Sequence, residues 1–303
     1  MSNNINWGKI YESTAWGSGV DDNTIGWGDS YADLAGGGGF TGLLDTYSGA
    51  AAAYSLRQLS STYSGDAIVV TTNGSDSASI GFVNNELDTA SLEAFANGGD
   101  AYISKMFDQS GNGVDLFRSV FSAMPKIVSS GTTIVDSLTN KPTFTFPNGN
   151  ASLHTSGLTE LSLTSDWTIS FVSKAPTTQT YGLTLGDAVG DAQDSFFIFS
   201  GQFRTEIDGV NYGVYGSGDN RTSTRLWTHL RDTSNTITIN RDGASYGSVS
   251  SAIGNFDFVQ IGSNIEANPP ENFSELIIWD AKKSISDIGG IESNINSHYN
   301  IYP

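Results

Sequence analysis

The sequence predicts a mostly β protein, an antiparallel β-sandwich with a few short helices. Three observations carry this. Charged residues are 15% of the 303, well below the roughly 25% of an ordinary globular domain. Glycine is abundant at 35 residues, and Phe, Tyr and Trp number 16, 12 and 6, a mixture that suits short strands joined by tight turns. From residue 141 to residue 280, runs of β-branched and aromatic residues recur between turn residues, the spacing of a sandwich or barrel.

The charge balance narrows the partners. Lys and Arg total 14 against 32 Asp and Glu, a net charge of −18. Sequence-independent nucleic-acid binding rests on cations that neutralise phosphates, so nucleic acid is not expected. Docking on an anionic membrane is not expected either, and no apolar run reaches the ~18 residues of a membrane span. The absence of cysteine removes disulfides, thiol nucleophiles and cysteine-ligated metal. The opening residues Met1 to Asn6 have neither a basic region nor an apolar core, so no signal peptide is expected.

Taken in order, residues 1–39 form an anchoring segment and linker, and residues 40–303 the sandwich. Ile5-Asn6-Trp7-Gly8 to Tyr11 is echoed by Ile25-Gly26-Trp27-Gly28 to Tyr31, with Trp16-Gly17 between. So short a segment cannot bury three indoles by itself. Trp7, Tyr11, Trp16, Trp27 and Tyr31 therefore either pack on the main domain or anchor the chain to another subunit, and docking is the expectation adopted. Gly36 to Gly39 make a hinge. The Gly37-x-Gly39-x-x-Gly42 pattern is not a dinucleotide fingerprint, because no strand precedes it.

Residues 50–59, opening on four alanines, predict a short helix. Residues 67–72 predict a strand closed by Asn73-Gly74. Residues 88–95 predict a helical turn capped by Asp88, and residues 101–108 another strand. Further strands are expected at 143–146, 167–174, 181–185, 195–199, 236–240 and 273–279. Thr236 to Asn240 alternates with period two and turns at Arg241-Asp242-Gly243. Residues 284–299 predict a C-terminal helix.

These residues resemble known families. Tyr54-Ser55-Leu56-Arg57, Ile80-Gly81-Phe82-Val83 and above all Phe107-Asp108-Gln109-Ser110-Gly111-Asn112-Gly113 resemble the arabinofuranosidase B catalytic-domain family. Trp167-Thr168-Ile169, Leu226-Trp227-Thr228-His229, Ile239 to Gly243 and Phe273 to Trp279 resemble laminin-G-like and concanavalin-like lectin sandwiches. The two agree, since both imply one jelly-roll sandwich over roughly residues 43–303. Together with the Trp-Gly start, the chain also resembles tailed-phage virion proteins.

The resemblance implies a retaining glycosidase site, which needs two carboxyl groups about 5–5.5 Å apart. The family's nucleophile falls on Glu206. Its acid/base position reads Asn264, an amide that cannot relay a proton, with Glu266 two residues on as the second carboxylate. The family's paired cysteines are missing as well. These departures set the expectation of a non-enzymatic protein.

Two other constellations deserve naming. Asp108, Ser110, Asn112 and Asp115 place oxygens at alternate positions, as a calcium loop does, but Ser119 stands where a closing glutamate belongs. The reading adopted is a turn bonded to its own backbone, with no cofactor expected and calcium as the alternative. Tyr212, Tyr215, Asp219 and Asn220, with Asp187, Asp191 and Asp194, suit a sugar-binding rim. His154, His229 and His298 are too dispersed for a zinc site. Arg221, Arg225, Arg231 and Arg241 read as surface ion-pair partners.

The functional expectation is a non-enzymatic phage virion protein, located on the particle surface. It would be multimeric, docked to other virion proteins through residues 1–35, and would present its sandwich to host or environmental glycans. The alternatives are an arabinofuranosidase-like hydrolase using Glu206 and a purely architectural virion subunit.

Overall fold

The computed structural model describes residues 39–147, 149–176, 181–187, 194–199, 202–213, 222–262 and 269–303. All of them except Gly39 fall in the unit Phe40–Pro303. The proposed anchors Trp7, Tyr11, Trp16, Trp27 and Tyr31 lie outside the described residues.

Every described strand pairing is antiparallel. Sheet I runs Ala244–Val249, Ile237–Arg241, Arg225–Arg231, Trp167–Lys174, Asn272–Trp279 and Ala52–Ser55. Sheet II begins Val210–Gly213, Gln202–Ile207, Asp194–Phe199, Tyr181–Asp187 and Gln260–Gly262. It continues through Ser152–Thr155, Leu116–Phe117, Ala101–Met106, Ile68–Thr71 and Ala78–Ile80. The short strands Lys126–Ser129 and Phe144–Thr145 join the two sheets along one side. This is the sandwich the sequence predicts.

Aromatic side chains from the two sheets interdigitate between them. Trp167 of sheet I lies 5.9 Å from Phe196 of sheet II, and Trp227 lies 4.2 Å from Phe203 (ring centroids). His229 sits in this layer, fully buried, 4.1 Å from the Phe196 ring and 4.7 Å from Phe203.

A second apolar layer covers the outer face of sheet I. The helix Ile285–Tyr299 packs Ile291, Ile295 and Tyr299 there, and the turn Leu43–Thr46 adds Leu43 and Leu44. They meet Ala53, Val172, Ile277 and Trp279. The strands Trp167–Lys174 and Asn272–Trp279 are therefore buried on both faces, and they carry large apolar residues of both parities, such as Phe171 with Val172 and Ile277 with Ile278.

Several local expectations hold. The Asp88 carboxylate accepts from Ser91 N and caps the helix Thr89–Ala96. Ser284 does the same for the C-terminal helix, which ends at Asn300 in the left-handed conformation, φ 52°. One expectation fails. Residues 50–59 do not form a helix; Ala52–Ser55 is a strand with all four residues buried. Its pairing with Asn272–Trp279 overrides the helix propensity of the alanines. Among the described residues, no helix is long and apolar enough to cross a membrane.

Candidate active site

Glu206 lies on Gln202–Ile207, a strand of the meander at one end of sheet II. Phe203, Thr205 and Ile207 are buried, whereas Arg204 and Glu206 are partly exposed. Period-two alternation thus turns Glu206 away from the core, on the outer face of sheet II. The hairpin turn Asp208-Gly209, with φ of 50° and 72°, fixes this register by closing Ile207 against Val210.

In register beside Glu206 stand Ser195 on one strand and Asn211 on the other. The Ser195 hydroxyl donates to Glu206 Oε2 at 3.3 Å. Ser195 is 1% exposed, so a buried hydroxyl on the same face of the sheet holds the carboxylate from the side. Across the next strand, Gly186 faces Ser195. A Cβ at Gly186 would lie 2.0 Å from the Asp194 carbonyl oxygen, and its φ is +148°, so only glycine fits there.

Asp194 fastens this end of the sandwich. Its Oδ1 accepts from Asp208 N at 2.7 Å and its Oδ2 from Asp257 N at 2.8 Å, tying the hairpin turn to the strand Phe256–Phe258. Burial pushes its pKa up to about 7, against the two amide hydrogen bonds that favour the ionised form. Its side chain follows the inward parity of Phe196, so it acts as a positioning group for the Glu206 hairpin.

The remaining predicted sites fare differently. The Tyr212 hydroxyl accepts from Ile253 N at 3.2 Å. Tyr215, Asp219, Asn220, Asp191, Asn264 and Glu266 lie outside the described residues. Asp108 Oδ1 accepts from Ala53 N and Ser110 N, and Oδ2 accepts from Ser110 Oγ and Val114 N. Asp115 Oδ1 accepts from Asp108 N, and Asn112 Nδ2 donates to the carbonyls of Ala50 and Ala51. The loop oxygens are engaged by protein donors, and the loop ties down the edge strand Ala52–Ser55.

The described residues contain no group of three or more acidic or histidine side chains placed to hold a metal ion. Arg225 does pair with Asp242 at 2.7 Å. Arg231 departs from the surface reading. It is 3% exposed, and it donates to Asn235 Oδ1 and the Gly254 carbonyl. Sequence reasoning missed Ser195. A serine next in sequence to the core residue Phe196 carries no signal until the register is known.

No family model matches the chain, and no curated protein matches it. Solved structures do. An arabinofuranosidase complexed with arabinofuranosyl-α-1,2-xylobiose superposes with a TM-score of 0.66 at 13% identity, covering 86% of this chain and 65% of that one. A GH54 α-L-arabinofuranosidase soaked with a cyclic sulfate inhibitor gives 0.64 at 13% identity, covering 85% and 64%. A mutant of a GH54 α-L-arabinofuranosidase soaked with 4-nitrophenyl α-L-arabinofuranoside gives 0.63, again at 13% identity, with coverage of 85% and 64%. This chain thus spans just under two thirds of the length of each.

The fold is therefore a lectin-like β-sandwich of the kind seen in arabinofuranosidases. This corrects the expectation of a non-enzymatic virion protein. The three structures above, which align over most of the chain, are arabinofuranosidases with an arabinofuranosyl xylobiose, a cyclic sulfate inhibitor and a nitrophenyl arabinofuranoside. The Trp-Gly start that suggested a virion is a short composition signal, whereas the fold likeness extends over 86% of the chain.

Proposed function

We propose that this chain is a glycoside hydrolase of arabinofuranosidase type, with Glu206 as its nucleophile. The observation that carries the reading is the placement of Glu206. It is a carboxylate on the outer face of sheet II, held by a buried serine, in a sandwich that superposes on arabinofuranosidases. In the same row of sheet II stand Ser195 and Gly186.

The chemistry follows the two-carboxyl scheme. Glu206 attacks the anomeric carbon, the glycosidic C–O bond breaks, and the leaving oxygen takes a proton from the acid. Water then displaces Glu206 from the sugar and returns the proton. Glu266 is the residue assigned to the acid/base role in this reading, since Asn264 has no proton to relay.

The test is turnover of 4-nitrophenyl α-L-arabinofuranoside by the full chain and by Glu206→Gln. Release of nitrophenol by the wild type, reduced at least about 100-fold in the variant, supports the reading. Equal release by both proteins, or none by either, refutes it.

A further inference from the structure

A concavity lies away from Glu206. A cavity of about 430 Å³ opens between the turn Leu43–Thr46, the segment 60–63 and the turn 109–111. Its size falls within the ~300–1,000 Å³ of small-molecule sites. It adjoins Ala52–Ser55, the strand that ends sheet I. The Glu206 strand instead stacks on Arg225–Arg231 through Phe203 and Trp227. That strand is three positions away from Ala52–Ser55 across sheet I. The two sites are therefore separate.

Hydrogen bonds frame the cavity. Asp45 Oδ2 accepts from Gly42 N at 2.7 Å and Ser61 N at 2.8 Å, clamping two of its walls together. Gln109 completes the frame. Its Oε1 accepts from Leu59 N at 2.8 Å, and its Nε2 donates to the carbonyls of Ser55 and Arg57, both at 3.0 Å. A site already built in this way loses little freedom when a ligand enters.

Its chemistry is specific. Ser48 and Thr62 bring hydroxyl groups, Tyr63 adds a half-buried ring, and Asp45 adds a carboxylate, while the Ser60 and Ser110 hydroxyls already donate to Asp45 Oδ1 and Asp108 Oδ2 and the Tyr63 hydroxyl to the Asp66 carbonyl. Among the described residues, no Lys, Arg or His lines it. Hydroxyls both donate and accept, and a carboxylate accepts from ligand hydroxyls. An aromatic body suits the apolar face of a ring. An anionic ligand would meet the Asp45 carboxylate, and the Lys283 ammonium at this rim is already bonded to the Ser48 carbonyl at 2.7 Å.

We propose that this cavity is a second binding site, for a neutral mono- or disaccharide. The proposal does not depend on the hydrolase reading of Glu206.

The experiment uses the full chain carrying Glu206→Gln, so that no probe is cleaved. Amide spectra are recorded during titration with xylobiose, with methyl α-L-arabinofuranoside and with galacturonic acid. The amides of Thr62, Tyr63 and Gly111 are expected to shift saturably with a neutral probe and not with the acid. Ser48→Trp, from an exposed rim position, fills the cavity and is expected to weaken that binding by about tenfold or more. Thr62→Ala, also exposed, removes one hydroxyl and is expected to weaken it less. The same spectra report whether each variant is folded. No saturable shift at these amides, shifts that survive Ser48→Trp, or equal binding of galacturonic acid would overturn the proposal. Turnover in the wild type is read separately, so either idea can fail without the other.

Discussion

Arg57 and Glu275 form a two-pronged ion pair sealed beneath the C-terminal helix. Arg57 Nε donates to Glu275 Oε2 at 2.7 Å and Nη2 donates to Oε1 at 2.9 Å. Ser55 Oγ and Tyr299 OH add hydrogen bonds to Oε2 at 2.8 and 3.3 Å, and Arg57 Nη1 reaches Asn294 Oδ1 at 2.9 Å. Burial alone would raise the Glu275 pKa. The adjacent guanidinium overrides it and holds the carboxyl below its ordinary value. The pair joins the edge strand, the centre of sheet I and the helix.

Removing one member leaves the other charged and buried. Arg57→Met is expected to lower unfolding free energy by about 3–5 kcal/mol. The double variant Arg57→Met with Glu275→Leu is expected to recover much of that loss. Urea unfolding of the two single variants and the double variant checks this. Simple additivity would argue against a direct pair.

His229 makes the sandwich sensitive to acid. Among the described residues neither ring nitrogen has a hydrogen-bond partner. The ring is packed by Phe171, Phe196 and Phe203, and burial lowers its pKa to about 3. The neutral form is the folded one. Its contribution is present above pH 6.5 and is lost as pH falls from there toward 3. His229→Leu is expected to flatten the fall in denaturant midpoint across that window, and to gain about 1 kcal/mol at pH 7 by removing an unpartnered polar ring. An unchanged acid slope in the variant would contradict this.

The Asp108 loop is expected to be structural. Its carboxylate accepts four hydrogen bonds, including one from the edge strand at Ala53. Asp108→Ala strands those donors and is expected to cost about 2–4 kcal/mol. Calcium, or its removal by chelator, is expected to leave Tm unchanged in the wild type. A rise in Tm with calcium would restore the metal reading.

Much of the fold was legible in the sequence because turns and period-two alternation are local signals. Thr236 to Asn240 and its Asp242-Gly243 turn are such a case. Ala52–Ser55 departs from the expected helix because a strand buried on both faces shows no alternation, and alanine favours helix in isolation. Arg57 was visible only as part of a resemblance. Its partner Glu275 stands 218 residues away, and no local pattern links them. Glu206 is legible through resemblance and its outward direction through alternation, but the buried Ser195 beside it needs the strand register.

The central claim concerns Glu206, and covalent trapping tests it most directly. The full chain is incubated with a cyclic sulfate inhibitor of α-L-arabinofuranose shape, then digested, and the peptides are weighed. The account predicts a sugar adduct on the peptide that carries Glu206, absent in Glu206→Gln. No adduct, or an adduct that persists in Glu206→Gln, would contradict it.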